Sequence, residues 1–251
     1  MNKNISKTAS IGDSTTTGFN VIIFDDVKIG ENCAIGNNVI IYEGTAIGDN
    51  VRIDDNTIIG KKPMSSPRSI FKAAKDLKPA KIGNNCMIGA NVIIYAQCKM
   101  GENNLVADLA TLRENVIIND YNIIGRGVSI ENFVKIGSRN KLETNTYITA
   151  YSEIEDYCFI APCVATSNDN FMARDPERYK HFKGVTLKTG SRIGTNATIL
   201  PGKIIENDGV IAAGSIASKD IPKEEVWLGT PAKFYKKVPT TQLLKNNLDK
   251  K

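Results

Sequence analysis

The sequence has few of the residues on which metalloenzymes and membrane proteins depend. It contains one histidine, His181, so zinc sites and catalytic triads that need several histidines are not expected. Its five cysteines show no CxxC spacing, which favours a reduced, cytoplasmic chain over a disulfide framework. No apolar run is long enough to span a bilayer, and the first residues lack the apolar stretch of a secretory signal, so no membrane contact or export is expected.

The excess of positive over negative charge is also small. The 251 residues carry a formal net charge of +5, and 41% of them are hydrophobic. A chain of this length and composition can bury a substantial core. A surplus of this size suits a small anionic ligand better than a nucleic-acid groove, so no nucleic-acid partner is expected.

What the sequence has in abundance is a six-residue repeat. Stepping by six from Ile5, from Ile82 and from Leu187 gives 31 positions, of which 29 are apolar, whereas the average composition predicts about 13. Three residues after each of these positions stands Asn, Asp or Gly in 20 cases. These residue types tolerate a positive φ at a tight turn. Short strands that alternate with such turns predict a coil with three sides and 18 residues, and a helix is excluded because its period is 3.6.

The three sides of this coil define three faces, and two insertions interrupt them. We call the side with Ile5, Ile23, Ile41 and Ile59 face A, the next side face B and the third face C. The loops 61–79 and 167–186 both leave the corner between faces A and B. We expect one β-helix domain over 1–225, with about ten coils, and a tail over 226–251 with a short helix.

Face A carries no charged residue at the outward position before each repeat position, for example Ile22, Ile40 and Ile58. Face B carries Lys28 and Lys81 at the same positions. An uncharged stripe favours burial against a copy of the chain, and a three-sided prism that joins through one face most simply forms a trimer. Clefts between neighbouring subunits are then the expected place for a site.

The motif I-G-x-N appears as Ile29-Gly30-Glu31-Asn32 and Ile193-Gly194-Thr195-Asn196. It resembles the hexapeptide-repeat acyltransferases over nearly the whole chain. The resemblance implies an all-β fold, a left-handed parallel β-helix, usually a homotrimer. It also implies transfer of an acyl group from acetyl-CoA or another acyl-CoA to an amine or hydroxyl, with no metal.

The segment 106–114 is similar to the part of nucleotide-sugar N-acyltransferases that carries a histidine followed by Arg-Glu. Asp108 stands where we place that histidine. The resemblance therefore implies Asp108 as a base or an amine-orienting group, with Glu114 and Glu143 as the next candidates. Because an amino sugar needs little help from a base, N-acylation of a nucleotide-linked amino sugar is the predicted reaction.

Polar residues near the same corners are the expected acceptor-binding set. They are Arg113, Glu131, Asn132, Asn168, Asp169 and the loop lysines Lys61 and Lys62, which begin a basic segment with Arg68, Lys72, Lys75 and Lys78. The segment 165–170 resembles the T-N-D segment of the same acyltransferases. Solvated turn residues are the alternative interpretation of the carboxylates and lysines. For His181 we expect a place near phosphates or solvent rather than catalysis.

Small residues mark the expected CoA track near the end of the chain. The segment Gly229-Thr230-Pro231-Ala232-Lys233 looks like the G-N-P-A-K of the family. The residues expected to line the track or meet the CoA phosphates are Ala161, Gly194, Ala213, Gly214, Lys219 and Lys233.

Three alternatives stay open. One is O-acetylation of a sugar or of serine, and another is a β-helix scaffold without catalysis. The third is a carbonic-anhydrase-like metalloprotein, which needs three histidines where the sequence has one.

Overall fold

The structure is a computed structural model that describes residues 4–64, 66 and 76–248. These residues form two compact units, up to Tyr121 and from Asn122 onward. In both units nearly all strands have two residues, of which the second is the buried repeat residue. The first points outward, because successive side chains of a strand alternate between faces. Within the described ranges, no helix is long and apolar enough to cross a membrane.

The first unit contains three parallel sheets that correspond to the three predicted faces. Strands one coil apart pair in register, as Ile23 does with Ile41, 18 residues later. Face A contains Asn4–Ile5, Ile22–Ile23, Ile40–Ile41, Ile58–Lys61, Ile93–Tyr95 and Thr111–Leu112. Face B contains Ser10–Ile11, Lys28–Ile29, Ala46–Ile47, Lys81–Ile82, Lys99–Met100 and Ile117–Ile118. Face C contains Thr16–Thr17, Ala34–Ile35, Arg52–Ile53, Met87–Ile88 and Leu105–Val106.

The second unit repeats this arrangement. Face A contains Ser129–Ile130, Tyr147–Ile148, Ala165–Thr166, Thr198–Ile199 and Ile216–Ala217. Face B contains Lys135–Ile136, Glu153–Ile154, Thr186–Leu187 and Ile204–Ile205. Face C contains Ile123–Ile124, Lys141–Leu142, Phe159–Ile160, Arg192–Ile193, Val210–Ile211, Glu225–Gly229 and Ala232–Lys237. The one α-helix of the described chain is Arg178–His181, in the second loop.

The all-β parallel β-helix predicted from the repeat is confirmed, with two corrections of detail. Face A has one strand for each coil, six in the first unit and five in the second, which is slightly more than the ten or so coils expected. The expected short helix of the tail consists of two 3-10 turns, Thr240–Gln242 and Leu244–Asn246. They follow an antiparallel hairpin, 225–237, that the repeat pattern gave no signal for.

The turns explain why the repeat carries Asn, Asp and Gly. Asn20, Asn38 and Asn56 adopt φ of 53°, 55° and 60°. Their side chains also bond from coil to coil, since Asn20 Nδ2 donates to Asn38 Oδ1 at 3.2 Å and Asn38 Nδ2 to Asn56 Oδ1 at 3.1 Å. A residue at such a turn therefore stabilises the stack of coils in addition to allowing the bend.

Candidate functional site

Arg113 and Glu114, the Arg-Glu pair of the sequence, lie at the corner between faces A and B of the first unit. Arg113 Nε and Nη2 donate to the two carboxylate oxygens of Glu114 at 2.9 and 3.1 Å. Glu114 is 7% exposed, so this is a nearly buried carboxylate held by a two-pronged guanidinium contact. Both oxygens are engaged, which suits Glu114 to orienting Arg113 rather than to taking up a proton.

Tyr95 joins this pair to the first loop. The guanidinium of Arg113 lies 5.0 Å from the centre of the Tyr95 ring, and the Lys61 ammonium lies 4.8 Å from the same centre. Lys61 Nζ also donates to Tyr95 Oη at 3.3 Å. The structure therefore brings together Lys61, Arg113 and Glu114, which the sequence placed at one corner, and adds an aromatic ring that sequence reasoning missed.

Lys62 turns instead to Glu43, with Nζ 2.6 Å from Oε1. The side-chain hydrogen bond from Lys62 and a backbone hydrogen bond lower the pKa of Glu43 below its ordinary value. The structure describes only part of the expected basic loop. Arg68, Lys72 and Lys75 lie outside the described residues, so that prediction stays open for them.

Asp108 lies at the corner between faces C and A, beside a cleft of about 240 Å³. Arg52, Asp54, Met87 and Leu105 also line this cleft. The carboxylate of Asp108 is exposed, and its Oδ1 accepts a hydrogen bond from the Ala90 amide at 2.9 Å.

The contact of Asp108 with the coil before it recurs at other turns. Asp49 Oδ1 accepts from the Glu31 amide at 2.7 Å, and Asn84 Oδ1 accepts from the Asp49 amide at 2.8 Å. Asp108 therefore has a structural task that an asparagine also performs. Its other oxygen, Oδ2, makes no hydrogen bond to the described part of the chain.

Asp169, in the second loop, is held in place from three directions. Its carboxylate accepts from the amides of Phe171 at 2.9 Å and Ala173 at 3.0 Å and forms a 3.0 Å ion pair with Arg178. Burial acts to raise the pKa of Asp169, but the hydrogen bonds from Ala173 and Phe171 and the charge of Arg178 outweigh it and lower the pKa. As a carboxylate anion, Asp169 therefore accepts the contacts that hold this loop in its conformation.

His181 borders a second cleft, of about 380 Å³, with Asn170, Phe171, Lys183, Pro201 and Gly202. Its ring stacks on Phe171, with 5.8 Å between the ring centres. Lys183 closes the loop against the coil below, since its amide donates to Asn168 O at 3.3 Å and its carbonyl accepts from the Gly202 amide at 3.0 Å. The expected position of His181 near solvent agrees with its 59% exposed side chain.

Three further candidates, Glu131, Asn132 and Glu143, lie in the second unit. Asn132 is 2% exposed, and its Oδ1 has no hydrogen-bond partner among the described residues. The half-buried carboxylate of Glu143 makes no hydrogen bond to the described part of the chain. The Glu131 amide donates to Ile148 O at 2.9 Å, as the repeat requires.

The residues expected to line the CoA track all lie in the second unit. Gly194 has a structural reason to be small, because a Cβ there would lie 2.4 Å from the Ala213 amide nitrogen. Gly214 has φ of +66°, and a Cβ would meet nothing within 4 Å. Ala161 is 5% exposed, whereas Lys219 and Lys233 are exposed and make no ion pair with described residues.

Among the described residues, no three His, Cys, Asp or Glu side chains lie close enough to hold an ion. One chain cannot supply three histidines, since His181 is the only one in the sequence.

Two sequence models of known families match the chain. Residues 79–113 match the bacterial transferase hexapeptide, described as six repeats, and residues 26–61 match the hexapeptide repeat of succinyl-transferase. The first match ends at Arg113, one residue before the buried carboxylate of Glu114.

Curated relatives match over short segments only. Gamma carbonic anhydrase 2 of Arabidopsis thaliana is 36% identical over 63 residues, which cover 24% of this chain and 23% of the relative. A Staphylococcus aureus protein named as an acetyltransferase is 34% identical over 74 residues, 30% of this chain and 37% of the relative. The chain thus matches less than two fifths of the length of these proteins.

Solved structures match over much more of the chain. A UDP-N-acetylglucosamine acyltransferase of Francisella novicida aligns over 98% of this chain and 71% of its own, with a TM-score of 0.58 and 19% identity. At this identity the likeness shows the fold. The repeat and the two matching sequence models make parts of the chain similar to hexapeptide-repeat transferases.

Proposed function

We propose that the protein transfers an acyl group from acetyl-CoA or another acyl-CoA to the amino group of a nucleotide-linked amino sugar. The observation that carries the proposal is the match of the hexapeptide transferase repeat over 79–113, which ends beside the Arg113–Glu114 pair. The Francisella novicida protein is a nucleotide-sugar acyltransferase by name, but it shares the fold only. The choice of a nucleotide-linked amino sugar as the acceptor therefore rests on the cationic and aromatic residues of this chain.

In this reaction the free amine attacks the carbonyl carbon of the thioester. An N–C bond forms, the C–S bond breaks, CoA leaves as a thiolate, and the amine loses one proton. Asp108 is the proposed base or orienting group, because it is exposed beside a cleft and only one of its oxygens bonds to the Ala90 amide. Glu143 is the second candidate, and Glu114 holds Arg113 toward the acceptor.

The acceptor and donor take different parts of the chain in this proposal. Within the first unit, Arg113, Lys61 and Lys62 are proposed to meet phosphates. Within the second unit, Glu131, Asn132, Asn168 and Asp169 are proposed to meet a sugar. The small residues Ala161, Gly194, Ala213 and Gly214 take the pantetheine arm, and the exposed Lys219 and Lys233 take the CoA phosphates.

We also propose that face A joins three copies of the chain. Its outward residues Ile22, Ile40, Ile58 and Ile93 are half-buried already in one chain and carry no charge. Light scattering of the purified protein tests this, and a monomer at micromolar concentration contradicts it. A cytoplasmic location belongs to the same proposal.

The experiment that tests the function is a thiol-release assay with acetyl-CoA and a panel of amino-sugar nucleotides. Release of one thiol for each acylated amine supports the proposal. Release with the deaminated, hydroxyl-bearing sugars instead makes the protein an O-acyltransferase. A protein whose melting temperature does not respond to acyl-CoA and which releases no thiol is a scaffold, and the proposal is then wrong.

A further inference from the structure

The cleft of about 240 Å³ lies on face C of the first unit, at the corner with face A. Its walls are the outward side chains of two neighbouring strands, in which Met87 pairs in register with Leu105. Met87 is 46% exposed, and Leu105 is half-buried. A concave apolar surface beside a few polar groups is the usual form of a small-molecule site.

The apolar walls are confined to one part of face C. The outward residues of the earlier strands in the same column are Thr16, Ala34 and Arg52. Large apolar side chains follow only at Met87 and Leu105, although the backbone of the strands is the same throughout. The cleft therefore depends on the side chains of these two layers and not on a change in the coil.

The carboxylate of Asp108 forms the rim of the cleft at the corner. The strand with Leu105 leads into Asp108, and the strand with Met87 leads into Ala90, whose amide donates to Asp108 Oδ1 at 2.9 Å. Gly89 leaves room for this contact, because a Cβ there would collide with Asp108 Oδ1. The side chain that the proposed function uses as a base or orienting group is thus fixed beside the two apolar walls.

The charges that line the cleft disfavour an anionic occupant. Arg52 Nε and Nη2 donate to the two carboxylate oxygens of Asp54 at 2.7 and 3.2 Å, so these two charges compensate each other. Asp108 is the remaining charged residue of the lining, and it forms no ion pair with the described part of the chain. The lining therefore has a net negative charge, which repels phosphate groups and the terminal carboxylate of a dicarboxylic acyl group.

The size of the cleft indicates an occupant larger than an acetyl group. Liquid water takes about 30 Å³ per molecule and a methylene group is of similar size, so about eight such groups fill 240 Å³. The paired strands of Arg52, Met87 and Leu105 span two strand spacings, about 10 Å. A six-carbon chain with bonds of about 1.5 Å fits within this length.

We infer that this cleft receives the acyl group of the donor, and that this group is an uncharged chain of about four to six carbons rather than acetyl. The carbonyl carbon lies beside Asp108, and the chain extends over Met87 and Leu105 toward the Arg52–Asp54 pair. Burial against the apolar walls contributes about fourfold in affinity for each methylene. The inference deepens the proposed function and rests on it for the identity of the ligand.

Rates of thiol release with acetyl-CoA, butyryl-CoA, hexanoyl-CoA and succinyl-CoA test the inference. We expect kcat/KM for hexanoyl-CoA to exceed that for acetyl-CoA by about tenfold or more, and succinyl-CoA to be the poorest donor. Met87→Trp and Leu105→Trp fill the cleft, so each should lower the ratio of the hexanoyl to the acetyl kcat/KM by about tenfold or more. Thr16→Trp places the same side chain in the same outward column but outside the cleft, and as the matched control it should leave this ratio unchanged.

Titration calorimetry of the full chain separates this inference from the proposed function, because it needs no acceptor. Hexanoyl-CoA should bind more tightly than acetyl-CoA, and Leu105→Trp should remove the difference. The inference is wrong if hexanoyl-CoA has no advantage over acetyl-CoA, if succinyl-CoA is the best donor, or if both tryptophan variants keep the advantage. Acyl transfer from acetyl-CoA would then leave the proposed function standing. Binding that depends on chain length and on Leu105, in a protein that transfers no acyl group, would support the cleft and contradict the proposed function.

Discussion

Five turns of the first coils and five turns between residues 109 and 157 have the same backbone but different side chains. Asn20, Asn32, Asn38, Asn50 and Asn56 have φ between 53° and 60°. The corresponding turns later in the chain, at Leu109, Tyr121, Phe133, Tyr151 and Tyr157, have φ between 58° and 64°. For residues with bulky side chains this conformation costs about 1–2 kcal/mol each.

The difference also concerns how far the turn side chains are exposed and what they contact. The later side chains are between 37% and 56% exposed, so burial does not repay the strain. A sequence that uses asparagine in five early turns could use it here as well. Two of these turns gain a contact in return, since the Phe133 and Tyr151 rings stack with 5.2 Å between their centres. Leu109 has no ring to stack, and it directly follows Asp108, so the strain at this turn points to function.

The largest expected effect should be the same in both regions, because the core does not differ between them. Ile41 and Leu112 are fully buried at equivalent positions. Ile41→Ala and Leu112→Ala should each lower the free energy of unfolding by about 3 kcal/mol. Denaturant unfolding measures this. If only one of the two variants loses stability, the cores of the two regions do not contribute equally to the free energy of unfolding.

The second effect separates the regions by activity. Asp49→Asn and Asp108→Asn keep the oxygen that accepts the turn amide, as Asn84 does naturally. Asp49→Asn should be as active as the wild type. Asp108→Asn should lose about a hundredfold in rate, equivalent to about 2.7 kcal/mol, because the amide cannot accept the proton. Initial rates of thiol release decide this, and an Asp108→Asn variant within twofold of the wild type removes Asp108 from the mechanism.

A third change imports the later pattern into the early coils. Asn38→Leu creates strain at φ of 55° and removes the hydrogen bonds to Asn20 and Asn56. The free energy of unfolding should fall by about 2 kcal/mol. Asn38→Gly keeps the conformation and should lose only the part due to the hydrogen bonds. Equal stability of Asn38→Leu and the wild type would show that these turns carry no strain.

The smallest effect concerns the second loop and its dependence on pH. The pKa of Asp169 is lowered in the folded state, so its contribution to stability is fully present above the ordinary value of 3.8 and is lost as the pH falls through the folded pKa. Hydrogen exchange at the amides of Phe171 and Ala173 should therefore accelerate below about pH 4 more than exchange at the turn amides of the early coils. Asp169→Asn should abolish this difference, and a wild-type loop that stays protected at pH 2 would contradict it.

Much of the fold could be predicted because it depends on local regularities. The isoleucine period fixed the faces, and the lengths of the two insertions fixed the corner from which they leave, as the sheet positions of Ile59, Ile82, Thr166 and Leu187 confirm. The hairpin 225–237 has no six-residue period and could not be found in this way.

The site was less predictable because its contacts join residues that are far apart in sequence. The Arg113–Glu114 pair was visible as neighbours, whereas Tyr95 contacts Lys61 across 34 residues of chain. A signal for Tyr95 was present, since it stands in the same coil position as Phe24 and Tyr42. The contact of Asp108 with the Ala90 amide needed the actual stacking of the turns.

The most direct test of the account is to measure stability and rate together in Leu109→Asn. The account predicts that asparagine relieves strain at φ of 64°, so the free energy of unfolding should rise by about 1 kcal/mol, while acyl transfer becomes slower. A variant that is more stable and fully active would show that the bulky turn beside Asp108 has no part in function, and it would contradict the account.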